Sequence, residues 1–106
     1  MFAVIARFPA ARDHQDAFNQ SLQKSLEITR QQPGLVAYQV LAPRPSTPTR
    51  VCLMLWRRRE DFQTFVKSEA SQRAHADVRP EHFDETPVLE QLDVLETWHA
   101  EAEAAT

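Results

Sequence analysis

The chain opens with "MFAVIARF", an apolar run that is β-branched at its centre and closed by Pro9, and this pattern predicts a first strand ending at a turn. From Asp13 to Arg30 the apolar side chains Phe18, Leu22 and Leu26 recur at every fourth position, with Ala17, Ser21 and Ser25 beside them. That spacing draws one stripe down an amphipathic helix, with Asp13 as its expected N-cap and Asp16 as a first-turn carboxylate. "QQPGLVAYQVL" breaks the helix at Pro33 and Gly34, the single glycine of the chain, and supplies a second strand from Leu35 to Leu41. The segment "APRPSTPTR" carries three prolines and no apolar run, so it is a stiff loop leading into a third strand, "RVCLMLWRR". Beyond Trp56 the chain turns charged and then helical, with Phe62, Phe65 and Val66 spaced as one buried face. "SEASQRAHADVRP" adds one or two short helical turns that stop by Pro80 and carry His75 near their end. "VLEQLDVLETW" alternates from Leu92 through Val94 and closes as a fourth strand.

The order strand, helix, strand, strand, helix, strand is the split βαβ pattern of a ferredoxin-like α+β sandwich. In the third strand Val51, Leu53 and Leu55 line one face and Cys52, Met54 and Trp56 the other, so both faces need cover. Two helices shield one side of a four-stranded sheet. The opposite face, built from Ala3, Ile5 and one row of the third strand, has nothing within the chain to pack on, which predicts a homodimer. The domain spans 1–99, and 100–106 reads as a small polar tail that frays.

At 106 residues the chain is one domain, near the size at which part of the apolar surface stays uncovered. A formal net charge of -3 leaves no basic excess to grip a phosphate backbone, so no nucleic-acid partner is expected. The first apolar run is too short to span a membrane and lacks the marks of a signal peptide, which predicts a cytoplasmic protein with no membrane partner. Cys52, alone in the middle of a strand, reads as a small buried hydrophobe rather than a reactive thiol. With one glycine there is no phosphate loop or dinucleotide fingerprint, and no histidine pair has the spacing of a structural metal site.

His75 is the leading candidate for chemistry, because neutral imidazole is a good iron ligand; the alternative is a helix-end histidine favoured by the dipole. His14, His82 and His99 have no comparable setting. Phe62, Phe65, Val66 and Phe83, with Phe8 and Tyr38 from the strands, form either the wall of an apolar pocket for a small hydrophobic molecule or plain core. Arg57, Arg58 and Arg59 either meet the carboxylates of an anionic ligand or form a solvated rim. Arg79, four residues after His75, is a further candidate contact.

Several strings resemble the antibiotic-biosynthesis-monooxygenase superfamily, whose members are dimeric α+β barrels. "PGLVAYQVL" looks like its break and second strand, and "VCLMLWRRREDFQTFVKSEASQRAH" like its third strand and two short helices. The stretch from Trp56 to Arg79 is most similar to the heme-degrading monooxygenases, in which the histidine of a similar "AHxxVR" string ligates heme iron. In "AHADVR" that ligand is His75. The resemblance implies a tryptophan ten residues before the histidine and an asparagine on the first strand; this chain has Phe65 and Ala6 there. Other members oxidise aromatic polyketides or quinols with oxygen and without metal or flavin. Three readings follow: oxygen-dependent oxidation of a planar molecule with heme as ligand or substrate, cofactor-independent oxidation of a small aromatic or quinol, and a noncatalytic binding dimer.

Overall fold

The computed structural model describes residues 1–100, so the tail predicted over 100–106 lies, apart from Ala100, outside the described residues. The elements follow in the order β1 (Phe2–Phe8), α1 (Gln15–Thr29), β2 (Leu35–Leu41), β3 (Arg50–Trp56), α2 (Arg59–Val66), α3 (Glu69–Ala74) and β4 (Val88–Asp93). Short 3-10 turns occupy Arg12–His14 and Pro80–His82. The four strands form one antiparallel sheet in the order β2-β3-β1-β4, the ferredoxin-like arrangement. No helix among the described residues is long and apolar enough to cross a membrane.

Strand register decides which side chains meet the helices. Phe2, Val4 and Ala6 lie opposite Trp56, Met54 and Cys52, and this row faces inward. It feeds two core clusters, one around Val4, Trp56, Phe62 and Phe65, the other around Ala6, Phe18, Leu22, Leu26 and Cys52. Val4 and Trp56 are fully buried, and Phe18 is nearly so. Each such side chain contributes about 1.5–3 kcal/mol of transfer free energy. The alternate row, with Ala3, Ile5 and Arg7 opposite Leu55, Leu53 and Val51, lies on the other face of the sheet.

Gly34 makes the turn into β2 possible. Its φ of +89° belongs to a region that side chains rarely enter, and a Cβ there would overlap the Asp61 side chain. Its carbonyl accepts from Arg57 N–H at 2.7 Å, which ties the start of β2 to the end of β3.

Three local expectations need correction. Asp13 does not cap α1, because Arg12–His14 form a separate 3-10 turn in which His14 N–H bonds Ala11 carbonyl at 2.9 Å; the helix starts at Gln15 behind His14, which makes no side-chain cap bond. β4 ends at Asp93 rather than running on toward Trp98. Its ladder closes with Val94 N–H on Met1 carbonyl at 3.1 Å, which leaves Leu95 and Trp98 outside the sheet. Val66 does not share the buried face of Phe62 and Phe65: it is the last residue of α2 and is 51% exposed.

Candidate active site

The two core clusters do not close on each other completely. A cavity of about 300 Å³ remains between the sheet and the helices, at the small end of the range of ligand sites. Ala6, Phe8, Cys52 and Met54 form its floor on the sheet, and Leu22, Ser25, Leu26 and Thr29 of α1 form one wall. Phe62, Phe65 and Val66 of α2 and Ser71 and His75 of the α3 segment form the other, with Leu89 and Gln91 of β4 on the open side. The exposed Val66, His75, Leu89 and Gln91 mark the mouth. No lysine, arginine, aspartate or glutamate lines the space.

Capping chemistry explains how His75 reaches it. Ser68 Oγ donates to Phe65 carbonyl at 2.6 Å and accepts from Ser71 N–H at 3.2 Å, so one hydroxyl ends α2 and starts α3. α3 stops at Ala74, and His75 is its C-cap. The backbone N–H of His75 bonds Ser71 carbonyl at 3.1 Å, and its ring Nδ1 lies 2.7 Å from the same oxygen. A carbonyl only accepts, so Nδ1 carries the proton and the neutral ring keeps Nε2 as a free acceptor. Ser71 Oγ, 3.4 Å from Nδ1, is a weaker neighbour.

The segment after His75 is clamped to α1. Ser21 Oγ donates to Asp77 carbonyl at 3.2 Å, and Lys24 Nζ reaches the Asp77 carboxylate at 2.7 Å. That hydrogen bond, then the Lys24 charge, holds the Asp77 carboxyl below its ordinary range. The pair is half-exposed on both sides and contributes orientation more than stability. Burial pushes the Cys52 thiol up to about 11, so this cavity-floor sulfur stays protonated and unreactive near neutrality.

Of the residues singled out from the sequence, Ala6, Phe8, Phe62, Phe65, Val66 and His75 come together around the cavity. Tyr38 and Phe83 do not line it. Tyr38 packs on the Phe18 cluster, and Phe83 stacks on Phe8 at 6.1 Å and meets Phe18 edge-on at 5.2 Å. Arg79 lies past the end of α3 in extended backbone and borders, with Phe83, Asp84 and Glu85, a larger but open depression of about 580 Å³. Arg57, Arg58 and Arg59 are exposed and away from the cavity, Arg58 pairing with Asp61 at 3.4 Å. The floor residues Cys52 and Met54 of β3 and the walls from α1 and β4 were not anticipated. Two signals in the sequence bear on this: Cys52 and Met54 share strand parity, and Ser25 and Thr29 interrupt an apolar stripe with small polar groups. Among the described residues no group of three or more His, Cys, Asp or Glu side chains could hold a metal ion.

An antiparallel four-stranded sheet covered on one face by helices, with a cavity free of charged lining residues between the layers and one imidazole at its mouth, defines a small ferredoxin-like α+β sandwich. Residues 1–77 match the family model for antibiotic biosynthesis monooxygenase, and the chain belongs to that family. Solved structures agree on the fold. The Rv0793 protein of Mycobacterium tuberculosis is 23% identical, with 91% of this chain and 96% of that one covered and a TM-score of 0.80. SnoaB of Streptomyces nogalater, described as a cofactor-independent oxygenase, is 16% identical over 91% of this chain and 94% of its own, with a TM-score of 0.76. PA3566 of Pseudomonas aeruginosa is 19% identical over 90% and 94%, also with a TM-score of 0.76. No curated protein matches the chain.

Proposed function

We propose that the protein oxidises a small, uncharged aromatic hydroxyl compound or quinol with molecular oxygen and without a resident cofactor. The observation that carries this reading is a cavity of about 300 Å³ with no charged lining residue and one imidazole nitrogen free to accept a proton. Burying a charged substrate there would incur an unpaired desolvation cost of several kcal/mol. A neutral ring instead gains from the walls of Phe8, Phe62, Phe65 and Leu26. His75 Nε2 takes the hydroxyl proton, and the electron-rich anion left in an apolar site is the reductant of oxygen. Ser71 carbonyl holds the ring through Nδ1 and stabilises the imidazolium that forms. The description of SnoaB as a cofactor-independent oxygenase supports the same reading.

Heme is the second reading, and one observation favours it: an imidazole whose Nδ1 is anchored on a carbonyl is oriented as metal-ligating histidines are. Against it stand the modest volume and the lack of a lining cation for the propionates, which would have to leave past Val66 and Leu89. Oxygen uptake with naphthols, anthrones and naphthohydroquinones tests the first reading. His75→Ala should lower kcat/KM by about 10²-fold or more while Phe65→Leu keeps the reaction. A Soret band that His75→Ala abolishes would move the assignment to heme. Binding of these aromatics without oxygen consumption would leave a noncatalytic binding protein.

A further inference from the structure

A second depression, of about 410 Å³, lies between α1 and the segment that follows α3, on a part of the surface that the proposed oxidation does not use. Gln20 and Lys24 border it from α1, and Asp77, Arg79 and His82 border it from the facing segment. No large apolar side chain lines it. We propose that this depression binds a small oxyanion between the Arg79 guanidinium, the Lys24 ammonium and the His82 ring.

His82 carries the argument. It is 6% exposed, and its backbone is held on both sides, the N–H donating to Arg79 carbonyl at 3.0 Å and the carbonyl accepting from Ala11 N–H at 2.7 Å. The Arg79 N–H in turn lies 3.4 Å from ring Nδ1. A backbone N–H only donates, so Nδ1 accepts and the proton of the neutral ring stands on Nε2. Nε2 has no hydrogen-bond partner among the described residues. It is not sealed in either, because the one side-chain nitrogen or oxygen among the described residues that is both shut off from solvent and unpartnered is Trp56 Nε1. The Nε2–H of His82 therefore opens onto the depression that the ring lines, as a fixed donor in want of an acceptor.

Charge selects the acceptor. Gln20 and Lys24 are four residues apart and share one side of α1. Arg79 is exposed and belongs to no ion pair among the described residues, while the 2.7 Å bond from Lys24 to Asp77 occupies one of the ammonium hydrogens and leaves the others. The Asp77 carboxyl is held low by that bond, then by the Lys24 charge and last by the charge of Arg79, so one field joins the three side chains. Two cations against one carboxylate leave a charge of +1, which draws an anion and repels a metal ion. An aromatic molecule finds no apolar wall here. An oxyanion in this place spans α1 and residues 77–82, the stretch that leaves His75, and adds a further tie to those that Ser21 and Lys24 make with Asp77. Its charged partners stand at the surface, where each such bond is modest, which sets the expected Kd on the order of 1–10 mM.

The test follows the imidazole nitrogen signals of protein labelled with 15N-histidine while inorganic phosphate is added at fixed pH, with sodium chloride holding the ionic strength constant. The His82 signals should move and saturate with a Kd on the order of 1–10 mM. Arg79→Gln, which keeps the backbone bond to Nδ1, and Lys24→Gln should each raise that Kd by about 5-fold or more, while Arg59→Gln, the same loss of charge on another part of the surface, should leave it unchanged. Each variant is checked for its fold by circular dichroism. Acetate titrated in the same way tells whether the site prefers a planar or a tetrahedral oxyanion, and saturation by neither overturns the proposal. A drift of all four histidines without saturation, or an equal loss in Arg59→Gln and Arg79→Gln, would reduce the effect to the medium or to net charge and overturn it as well.

Discussion

Trp56 is fully buried, stacks on Phe65 at 5.6 Å and leans on Phe62 at 5.7 Å, yet its indole Nε1 has no hydrogen-bond partner. A buried unmade donor costs about 1–3 kcal/mol. Trp56→Phe keeps an aromatic ring in the stack, removes that donor and deletes three non-hydrogen atoms. Phe18→Leu is a matched control: Phe18 is 1% exposed and the change deletes three non-hydrogen atoms with no polar group involved. At about 0.8 kcal/mol for each lost carbon plus a cavity term, Phe18→Leu should cost roughly 2–3 kcal/mol. Trp56→Phe begins from a similar packing loss and recovers the desolvation of Nε1, so its expected cost is within about 1 kcal/mol of zero. Urea unfolding followed by far-UV circular dichroism reads both values without relying on the deleted tryptophan. If Trp56→Phe costs as much as Phe18→Leu at unchanged m, the indole N–H is satisfied in solution and the reasoning fails.

Gly34→Ala should destabilise the fold by on the order of 2–3 kcal/mol, since it combines a positive φ with displacement of Asp61; an unchanged urea midpoint would contradict this. Burial raises the Cys52 thiol from 9.0 to about 11, so its contribution to stability is whole below about pH 9 and is lost as pH rises through 11, on the order of 2 kcal/mol. Cys52→Ala should remove that part of the alkaline decline, measured as the difference in urea midpoints between pH 8.5 and 10.5 for the two proteins. Ile5→Glu, at the middle of the open sheet face, should give a folded monomer by light scattering and circular dichroism, and a stable dimer would place the interface elsewhere. Ala6→Leu projects new volume into the cavity; it should raise the unfolding midpoint while abolishing any thermal shift caused by an aromatic ligand, and a retained shift would put the ligand in another place.

The strands were legible because period-two alternation and proline or glycine punctuation both reported them; of the two apolar faces of the third strand, the helices cover the one that carries Cys52, Met54 and Trp56. His75 was singled out through its string rather than its position, and it lies on the cavity wall. What escaped has physical causes. The end of β4 depends on where β1 begins to offer carbonyls, a fact about the neighbouring strand that no local pattern carries. The start of α1 depends on a 3-10 turn that competes with Asp13 for the same backbone. Val66 follows the helical spacing of Phe62 and Phe65, but as the last residue of α2, just before the Ser68 corner, it stands at the cavity mouth. Phe83 and Tyr38 are aromatic like the true lining, and only tertiary packing separates a wall of the cavity from the layer behind it.

The cavity itself bears on why these residues are where they are. The cavity opens at its mouth, so its cost is that of apolar wall left without packing partners, at about 25 cal/mol per Å² of apolar surface. A chain selected for stability alone would fill it, and the means are slight: a larger side chain at Ala6, Ser25 or Cys52 would do so from the floor or the α1 wall. Instead the floor carries small side chains, the α1 wall carries Ser25 and Thr29 where its stripe calls for apolar groups, and the α3 C-cap turns an imidazole toward the mouth. Each departure weakens the core, and each leaves the cavity either room or a polar group on its wall. These departures from close packing are, in the fold, the walls of one cavity.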